Sequence, residues 1–119
     1  MKILGIGVDI IENKRIKNLL KDKKFIMRTF GINEIKLANK LKNKSNYFAK
    51  RFVAKEALAK SIGTGFRNDL NLRDVEILND RLGKPYYYKS KKIEKIICKK
   101  FKIKRYKLML SISDEKNYS

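Results

Sequence analysis

The longest helix signal in the chain runs from residue 45 to residue 62, and it constrains the fold more than any other segment. Ser45 can cap this helix with its hydroxyl, and Gly63 supplies the left-handed residue at which helices commonly end. Apolar residues at helical spacing fall near one face: Phe48, Phe52, Ala59 and Ile62. We therefore predict one long helix near the middle of the chain.

The segments before this helix predict a strand and three short helices. Lys2 to Asp9 has the apolar character of a buried strand and ends in a carboxylate. Residues 12–20 and 23–30 each have helical spacing, and Asn33 can cap a third short helix.

The segments after it predict a hairpin, a helix and a strand. Val75 to Ile77 alternates as a strand, and the turn at 79–85 leads into the run Tyr86–Tyr88. Residues 90–101 return to helical spacing, and residues 106–112 alternate as a strand. This order predicts an α+β fold with an antiparallel sheet, one long helix and several short ones.

Length and composition indicate one cytoplasmic domain. The 119 residues contain no linker, so we predict a single compact domain spanning residues 1–119. Nothing near Met1 resembles a secretory signal, no apolar run approaches the roughly 20 residues that cross a bilayer, and Cys98 has no second cysteine to pair with. We expect no membrane partner.

The net charge of +19 suggests a polyanionic partner: a nucleic acid, an anionic membrane or an acidic protein. The excess comes from 24 lysines against 7 arginines, whereas base and phosphate recognition favours arginine. This disfavours a nucleic-acid partner. A joint excess of Lys, Ile and Asn is also what an A/T-rich coding bias produces, so part of the charge needs no functional explanation.

The chain contains no histidine, which excludes histidine acid–base chemistry and histidine-bound zinc. Asp9 ends an apolar segment, where a carboxylate is costly to bury unless it is paired or bound to a metal. Glu56 and Lys60 share one helix face. Taken singly, these residues have structural explanations as a helix cap and an ordinary ion pair. Together, two hard carboxylates without histidine suit Mg²⁺.

A glycine-rich turn follows the long helix and suits a phosphate. Gly63-Thr64-Gly65 allows the backbone to offer N–H groups to an anion, and Arg51, Lys60 and Arg67 are near enough in sequence to add charge. Phosphate chemistry becomes plausible, but these residues do not identify the substrate.

The chain resembles the holo-acyl-carrier-protein synthases, the small homotrimeric members of the 4′-phosphopantetheinyl transferase family. Gly7-Val8-Asp9, followed by Glu12 and Arg15, is similar to the first signature of that family, and Arg51 to Lys60 is similar to the second. The match continues in order to the end of the chain with Gly63-Thr64-Gly65, Asn79-Asp80, Gly83-Lys84-Pro85, Ser111-Ile112-Ser113-Asp114 and Tyr118.

The resemblance implies an enzyme that transfers the 4′-phosphopantetheine of coenzyme A to a serine of an acidic acyl carrier protein in fatty acid biosynthesis. It implies dependence on Mg²⁺, release of adenosine 3′,5′-bisphosphate, and a homotrimer that binds coenzyme A between neighbouring subunits. Asp9 and Glu56 would hold the metal, and both would act in catalysis with Lys60. The acceptor of the serine proton stays open between a metal-bound water and a carboxylate such as Glu56.

The resemblance also implies two binding sets. The residues that would bind coenzyme A are Arg51, Lys60, Gly63, Thr64, Gly65, Lys84 and Pro85. The basic residues that would face the acidic carrier protein are Lys14, Arg15, Lys21, Lys24 and Arg28.

Two departures from the family pattern leave alternatives open. Met109 stands where members commonly have a histidine, and members usually continue for several apolar residues beyond the position of Ser119. The alternatives are a catalytically degenerate member of the family and a small basic RNA-associated protein. The second is disfavoured because Phe48, Phe52 and Phe101 fall on predicted buried faces, where they cannot stack on bases.

Overall fold

A computed structural model describes residues 2–63 and 70–119 of the chain. Within these residues the helices are α1 (Asn13–Leu19), α2 (Lys23–Thr29), α3 (Ile32–Ala38), α4 (Lys44–Ile62) and α5 (Lys91–Phe101), with a short 3₁₀ helix at Leu72–Asp74. Strands β1 (Ile77–Asn79) and β2 (Pro85–Tyr87) pair antiparallel. The α+β fold with one long helix and several short ones is confirmed.

Side-chain caps set most helix starts. Asp22 caps α2 by accepting from the backbone of Lys24 at 2.9 Å, and Ser90 caps α5 by the same kind of contact. The cap predicted for α4 was wrong by two residues, because Asn43 rather than Ser45 accepts from Asn46 N, at 3.2 Å. The predicted end of α4 is confirmed, since Gly63 has a φ of 84°.

The start of α3 differs from its prediction. Asn33 lies inside the helix, and Gly31 occupies the position that precedes the first helical residue. Glu34 accepts from Gly31 N at 2.9 Å, and Glu76 accepts from Asn33 N at 2.9 Å. Acidic side chains from within and beyond the helix therefore satisfy its first N–H groups.

Helix α4 separates two apolar clusters. The first packs residues of α1, α2 and α3 against the N-terminal half of α4, with Ile16 and Phe30 fully buried. The second packs the hairpin and α5 against its C-terminal half, with Val75 and Ile77 fully buried. Because both faces of α4 are covered, ten of its 19 residues are buried. No helix among the described residues is long and apolar enough to cross a membrane.

The N-terminal segment was predicted as a buried strand, and this was wrong. Residues 2–10 form neither a helix nor a strand ladder, and Ile6 and Val8 are each 78% exposed. The reason is the placement of the glycines. Gly5 and Gly7 face α4 so closely that an added Cβ would overlap the backbone oxygens of Ser61 and Ala57. The alternate, apolar side chains consequently point away from the core.

Side chains at residues 106–112 alternate between packed and exposed, as predicted for a strand. The segment nevertheless forms no hydrogen-bonded strand ladder. Tyr106, Leu108, Leu110 and Ile112 pack against the second cluster, whereas Met109 is 79% exposed. Residues 102–116 form no strand. Further along, Ile11 and Ser119 exchange two backbone hydrogen bonds at 2.9 and 3.0 Å, so the end of the described chain pairs with the segment that enters α1.

Candidate active site

Asp9 and Lys60 meet where the N-terminal segment crosses the end of α4. The Lys60 ammonium donates to Asp9 Oδ1 at 2.8 Å and to the carbonyl oxygen of Val8 at 3.1 Å. The side chain of Asp9 is 16% exposed and that of Lys60 is 54% exposed, so the pair lies at an open edge. The bond to Asp9 raises the pKa of the Lys60 ammonium, which therefore remains a cation.

Glu56 lies one helical turn before Lys60 and is half-buried. Burial raises the pKa of the Glu56 carboxyl, and the negative charge of Asp9 raises it further, while Lys60 opposes the shift. Among residues 2–63 and 70–119, no hydrogen bond reaches the Glu56 carboxylate. The Asp9 and Glu56 carboxylates therefore repel each other, and the Lys60 ammonium offsets part of that repulsion.

This arrangement fits the magnesium ion that the sequence suggested. A divalent cation beside two carboxylates removes their repulsion, and Mg²⁺ usually takes one or two protein carboxylates and completes its shell with water and substrate phosphates. In the described part of the chain no group of three or more acidic, histidine or cysteine side chains could hold a metal by itself. Asp9 and Glu56 would therefore need oxygen ligands from a substrate or water.

The close approach of two backbones makes this site possible. A Cβ added to Gly7 would overlap the carbonyl oxygen of Ala57 and would lie 2.8 Å from Ser61 N. Ala57 follows Glu56 in the chain, and Asp9 is two residues beyond Gly7. Without a side chain at position 7, the extended segment can carry Asp9 directly across the helix face that carries Glu56 and Lys60.

A second polar cluster joins α4 to the hairpin turn. The Arg51 guanidinium donates to Asn79 Oδ1 and lies 3.9 Å from the centre of the Tyr47 ring. Asn79 in turn donates to Gly83 O at 2.8 Å, and Gly83 has a φ of 87°, which favours glycine. Arg51 is only 4% exposed, and its Nε has no partner among the described residues.

This second cluster bears on the predicted coenzyme A set. Through Asn79, Arg51 is connected to the turn that carries Lys84 and Pro85, so these three residues lie in one region. Asp80 accepts from Lys84 N at 2.8 Å and shapes the same turn. Gly63 is described at the end of α4, whereas Thr64, Gly65 and Arg67 lie outside the described residues. The binding roles of all of these stay predictions.

The five basic residues predicted to face a carrier protein are all exposed, and they lie on α1, on α2 or between them: Lys14, Arg15, Lys21, Lys24 and Arg28. The same region contains a cleft of about 720 Å³, which is lined by two of the five, Lys14 and Lys21, together with Lys17 and Lys116. Because α1 starts four residues after Asp9, this basic surface is continuous in sequence with the carboxylate site.

A buried ion pair between Lys55 and Glu34 was not predicted from the sequence. The Lys55 ammonium donates to Glu34 Oε1 at 2.6 Å, and both side chains are 0% exposed. Burial lowers the pKa of the Lys55 ammonium, and the Glu34 charge opposes that shift. A signal was available, because Lys55 shares the helix face of Leu58, Ala59 and Ile62, which is otherwise apolar.

Comparisons with known proteins give one consistent match. A family model described as the 4′-phosphopantetheinyl transferase superfamily matches residues 5–112. The chain is 56% identical, over 119 residues, to the holo-[acyl-carrier-protein] synthase of Pelagibacter ubique, covering 100% of this chain and 93% of that protein.

Solved structures agree with the sequence match. Holo-[acyl-carrier-protein] synthase from Neisseria meningitidis superposes with a TM-score of 0.87 at 37% identity, covering 98% of this chain and 93% of that one. The Bacillus anthracis synthase, solved in complex with CoA (3′,5′-ADP), superposes with a TM-score of 0.80 at 37% identity, covering 98% and 90%.

Proposed function

Since the chain belongs to the 4′-phosphopantetheinyl transferase superfamily, we propose that it acts as a holo-[acyl-carrier-protein] synthase. In this role it moves the 4′-phosphopantetheine of coenzyme A to a serine of apo-acyl carrier protein and releases adenosine 3′,5′-bisphosphate. The observation that carries the proposal is the meeting of Asp9, Glu56 and Lys60 at one open edge. We place the reaction in cytoplasmic fatty acid biosynthesis.

The pyrophosphate of coenzyme A would lie against this edge. Mg²⁺, held there by Asp9 and Glu56, would neutralise charge on the phosphates. Lys60 has a rotatable ammonium that already bonds to Asp9, and it would add a second positive charge beside the same oxygens. These residues bind and orient the pyrophosphate and leave the reacting phosphorus accessible from the open side.

The chemistry is an in-line phosphoryl transfer. The serine oxygen forms a bond to the β-phosphorus, and the bond from that phosphorus to the bridging oxygen breaks, so that adenosine 3′,5′-bisphosphate takes the bonding electrons. The serine proton must pass to a base. The acceptor is either a water at the site or the Glu56 carboxylate, which accepts no hydrogen bond among the described residues.

The nucleotide end would bind at the second cluster. Arg51 holds Asn79, and Asn79 holds the turn that presents Lys84 and Pro85. With Gly63 at the end of α4, this region would supply backbone N–H groups and positive charge to the nucleotide phosphates, and the predicted binding residues Thr64 and Gly65, which follow Gly63 in the sequence, lie outside the described residues.

The proposed function is tested by incubating the chain with coenzyme A, Mg²⁺ and apo-acyl carrier protein. We expect the carrier to gain the mass of one phosphopantetheine group, and we expect chelation of the metal with EDTA to stop the gain. A carrier of unchanged mass, with coenzyme A still bound by the chain, would identify a degenerate family member that binds without turnover.

We also propose that the chain assembles as a homotrimer. Several apolar side chains that are more than two-thirds exposed lie on two segments that form no strand ladder with the described residues: Ile3, Ile6, Val8, Ile10 and Met109. Exposed apolar groups of this number are typical of an interaction surface. Light scattering on the purified protein is expected to give three times the mass of the chain, and a monomer mass at micromolar concentration would contradict the proposal.

Charge on α1 should control carrier binding. We expect Arg15→Glu to raise the KM for the carrier protein at least about 10-fold, with the KM for coenzyme A within about twofold, because Arg15 is exposed on the basic surface and is not one of the residues of the carboxylate site. Carrier binding should also weaken as the Debye length falls from about 10 Å to 3 Å with added salt.

The matched control for this charge reversal is Lys95→Glu, which changes an exposed basic residue of α5 instead. It should leave the carrier KM near the wild-type value. Equal effects of the two variants, or a carrier KM that is insensitive to salt, would mean that the charge on α1 has no specific role in carrier binding.

A further inference from the structure

The buried pair of Lys55 and Glu34 has no part in the function proposed above. Neither side chain is exposed, so neither can touch coenzyme A or the carrier directly. Yet Lys55 immediately precedes Glu56, and it lies four residues after Arg51 on the same helix. Glu56 and Arg51 both belong to the proposed site, so the buried pair lies next to residues from both of its regions.

All three protons of the Lys55 ammonium are used. Besides Glu34, Lys55 Nζ donates to Leu72 O at 3.1 Å and to Val75 O. Leu72 is the first residue of the 3₁₀ helix Leu72–Asp74, and Val75 directly follows its last residue. One side chain of α4 therefore holds both ends of the segment through which the chain enters β1.

Glu34 extends the same contact to two more elements. Its Oε1 accepts from Gly31 N at 2.9 Å, and its Oε2 accepts from Ile77 N at 3.0 Å. Gly31 precedes α3, and Ile77 is the first residue of β1. The pair thus joins α3, α4 and the start of the hairpin through charge-assisted hydrogen bonds in a dry interior.

The hairpin is held to α4 at a second point one helical turn away. Arg51 donates to Asn79, the last residue of β1, and Asn79 donates to the turn at Gly83. The span from Val75 to Asn79 is therefore attached to α4 at both ends, by Lys55 at the first and by Arg51 at the second. The position of the Lys84–Pro85 turn follows from these two attachments.

We infer that Lys55, paired with Glu34, is a positioning residue for coenzyme A. It holds the segment from Leu72 to Ile77 on α4, so that the nucleotide-binding turn lies at a fixed distance from Glu56 and Lys60 on the same helix. Coenzyme A must reach from the turn to the carboxylate site, and a displacement of about 1 Å between the two regions is enough to lose binding and rate. This inference rests on the proposed function.

A role in stability alone makes a different prediction. Replacing both members of a buried ion pair by neutral residues of similar size is often neutral for stability, whereas removing one member leaves an uncompensated charge. The double variant Glu34→Gln/Lys55→Met removes both charges but leaves the Leu72 and Val75 carbonyls and one backbone N–H without their partners, so we expect it to fold with a lower Tm than wild type. If the pair only stabilises the fold, the double variant should also bind coenzyme A normally.

The test compares wild type, Lys55→Met, the double variant and the control Lys92→Met. Lys92 also binds the 3₁₀ helix, through Asp74 Oδ2 at 2.8 Å, but from α5 and at the surface. For each protein we would measure Tm, the Kd of adenosine 3′,5′-bisphosphate by calorimetry, and the KM for both substrates.

We expect the double variant to fold, to raise the Kd of the nucleotide and the KM for coenzyme A roughly 10- to 100-fold, and to leave the carrier KM within about twofold. Lys92→Met should match wild type, and Lys55→Met should be strongly destabilised. A folded double variant with wild-type nucleotide Kd overturns the inference. So does one in which both KM values rise equally.

A measurement on the wild type covers the case in which the double variant fails to fold. Hydrogen exchange should show the amides of residues 72–79 protected before any ligand is added. Rapid exchange there that slows only with adenosine 3′,5′-bisphosphate overturns the inference. Because calorimetry needs no turnover, a wild type that binds nucleotide without transferring phosphopantetheine would contradict the proposed function alone.

Discussion

Asp9→Asn and Glu56→Gln are each expected to reduce phosphopantetheine transfer at least about 100-fold, the scale seen when one electrostatic group is removed from a transition state. Each substitution replaces a hard anionic ligand by a neutral amide of nearly equal volume. The assay is carrier mass against time at saturating coenzyme A and Mg²⁺. A variant that kept a near wild-type rate would disprove the metal role of that residue.

The same substitutions should spare the fold, and Glu56→Gln should even favour it slightly. Burial and Asp9 raise the pKa of Glu56 in the folded chain, so its ionised form opposes folding at neutral pH, where the unfolded chain carries it freely. Removing that charge should leave the Tm equal or higher while activity is lost. Glu94→Gln, at an exposed position of α5, is the control and should change neither quantity.

Gly7→Ala is expected to lower the free energy of unfolding by about 1–3 kcal/mol and to reduce transfer at least 10-fold. The added Cβ would overlap the Ala57 carbonyl and lie 2.8 Å from Ser61 N, and both are backbone atoms of α4 that cannot rotate away. The segment must then move off the helix, and Asp9 moves with it. Urea unfolding and the transfer assay measure the two effects.

Lys2→Ala is the control for this variant, because it changes an exposed side chain of the same segment and should alter the free energy of unfolding by less than about 0.5 kcal/mol. The decisive comparison is between activity and stability. If Gly7→Ala kept wild-type transfer while folded, the close approach of this segment to α4 would not be what places Asp9 at the site.

Local patterns were sufficient for the helices and for the hairpin. Phe48 and Ile62 have the helical spacing of α4, and both are buried as expected. The hairpin followed from alternation on either side of a turn, and the structure pairs Ile77 with Tyr87. These features depend on contacts between residues close in sequence, which spacing and turn chemistry report directly.

The strand predictions failed at the N terminus because a strand depends on a partner that its own residues do not specify. Residues 2–10 are mostly apolar whether or not they form a strand ladder. Whether they form a ladder depends on what lies beside them, and in this chain the neighbour is the backbone of α4 at Gly5 and Gly7. An apolar pattern cannot distinguish the two situations.

By itself, the sequence determined the helices, the α+β class and the family motifs that contain Asp9, Glu56 and Lys60. The tertiary structure alone decided that Lys55 is buried against Glu34, that Arg51 binds Asn79, and that a glycine carries Asp9 across α4. The physical reason is that periodicity identifies which face of an element is buried. Which charged group from a distant segment meets that face is settled only when desolvation and pairing are satisfied together in the folded chain.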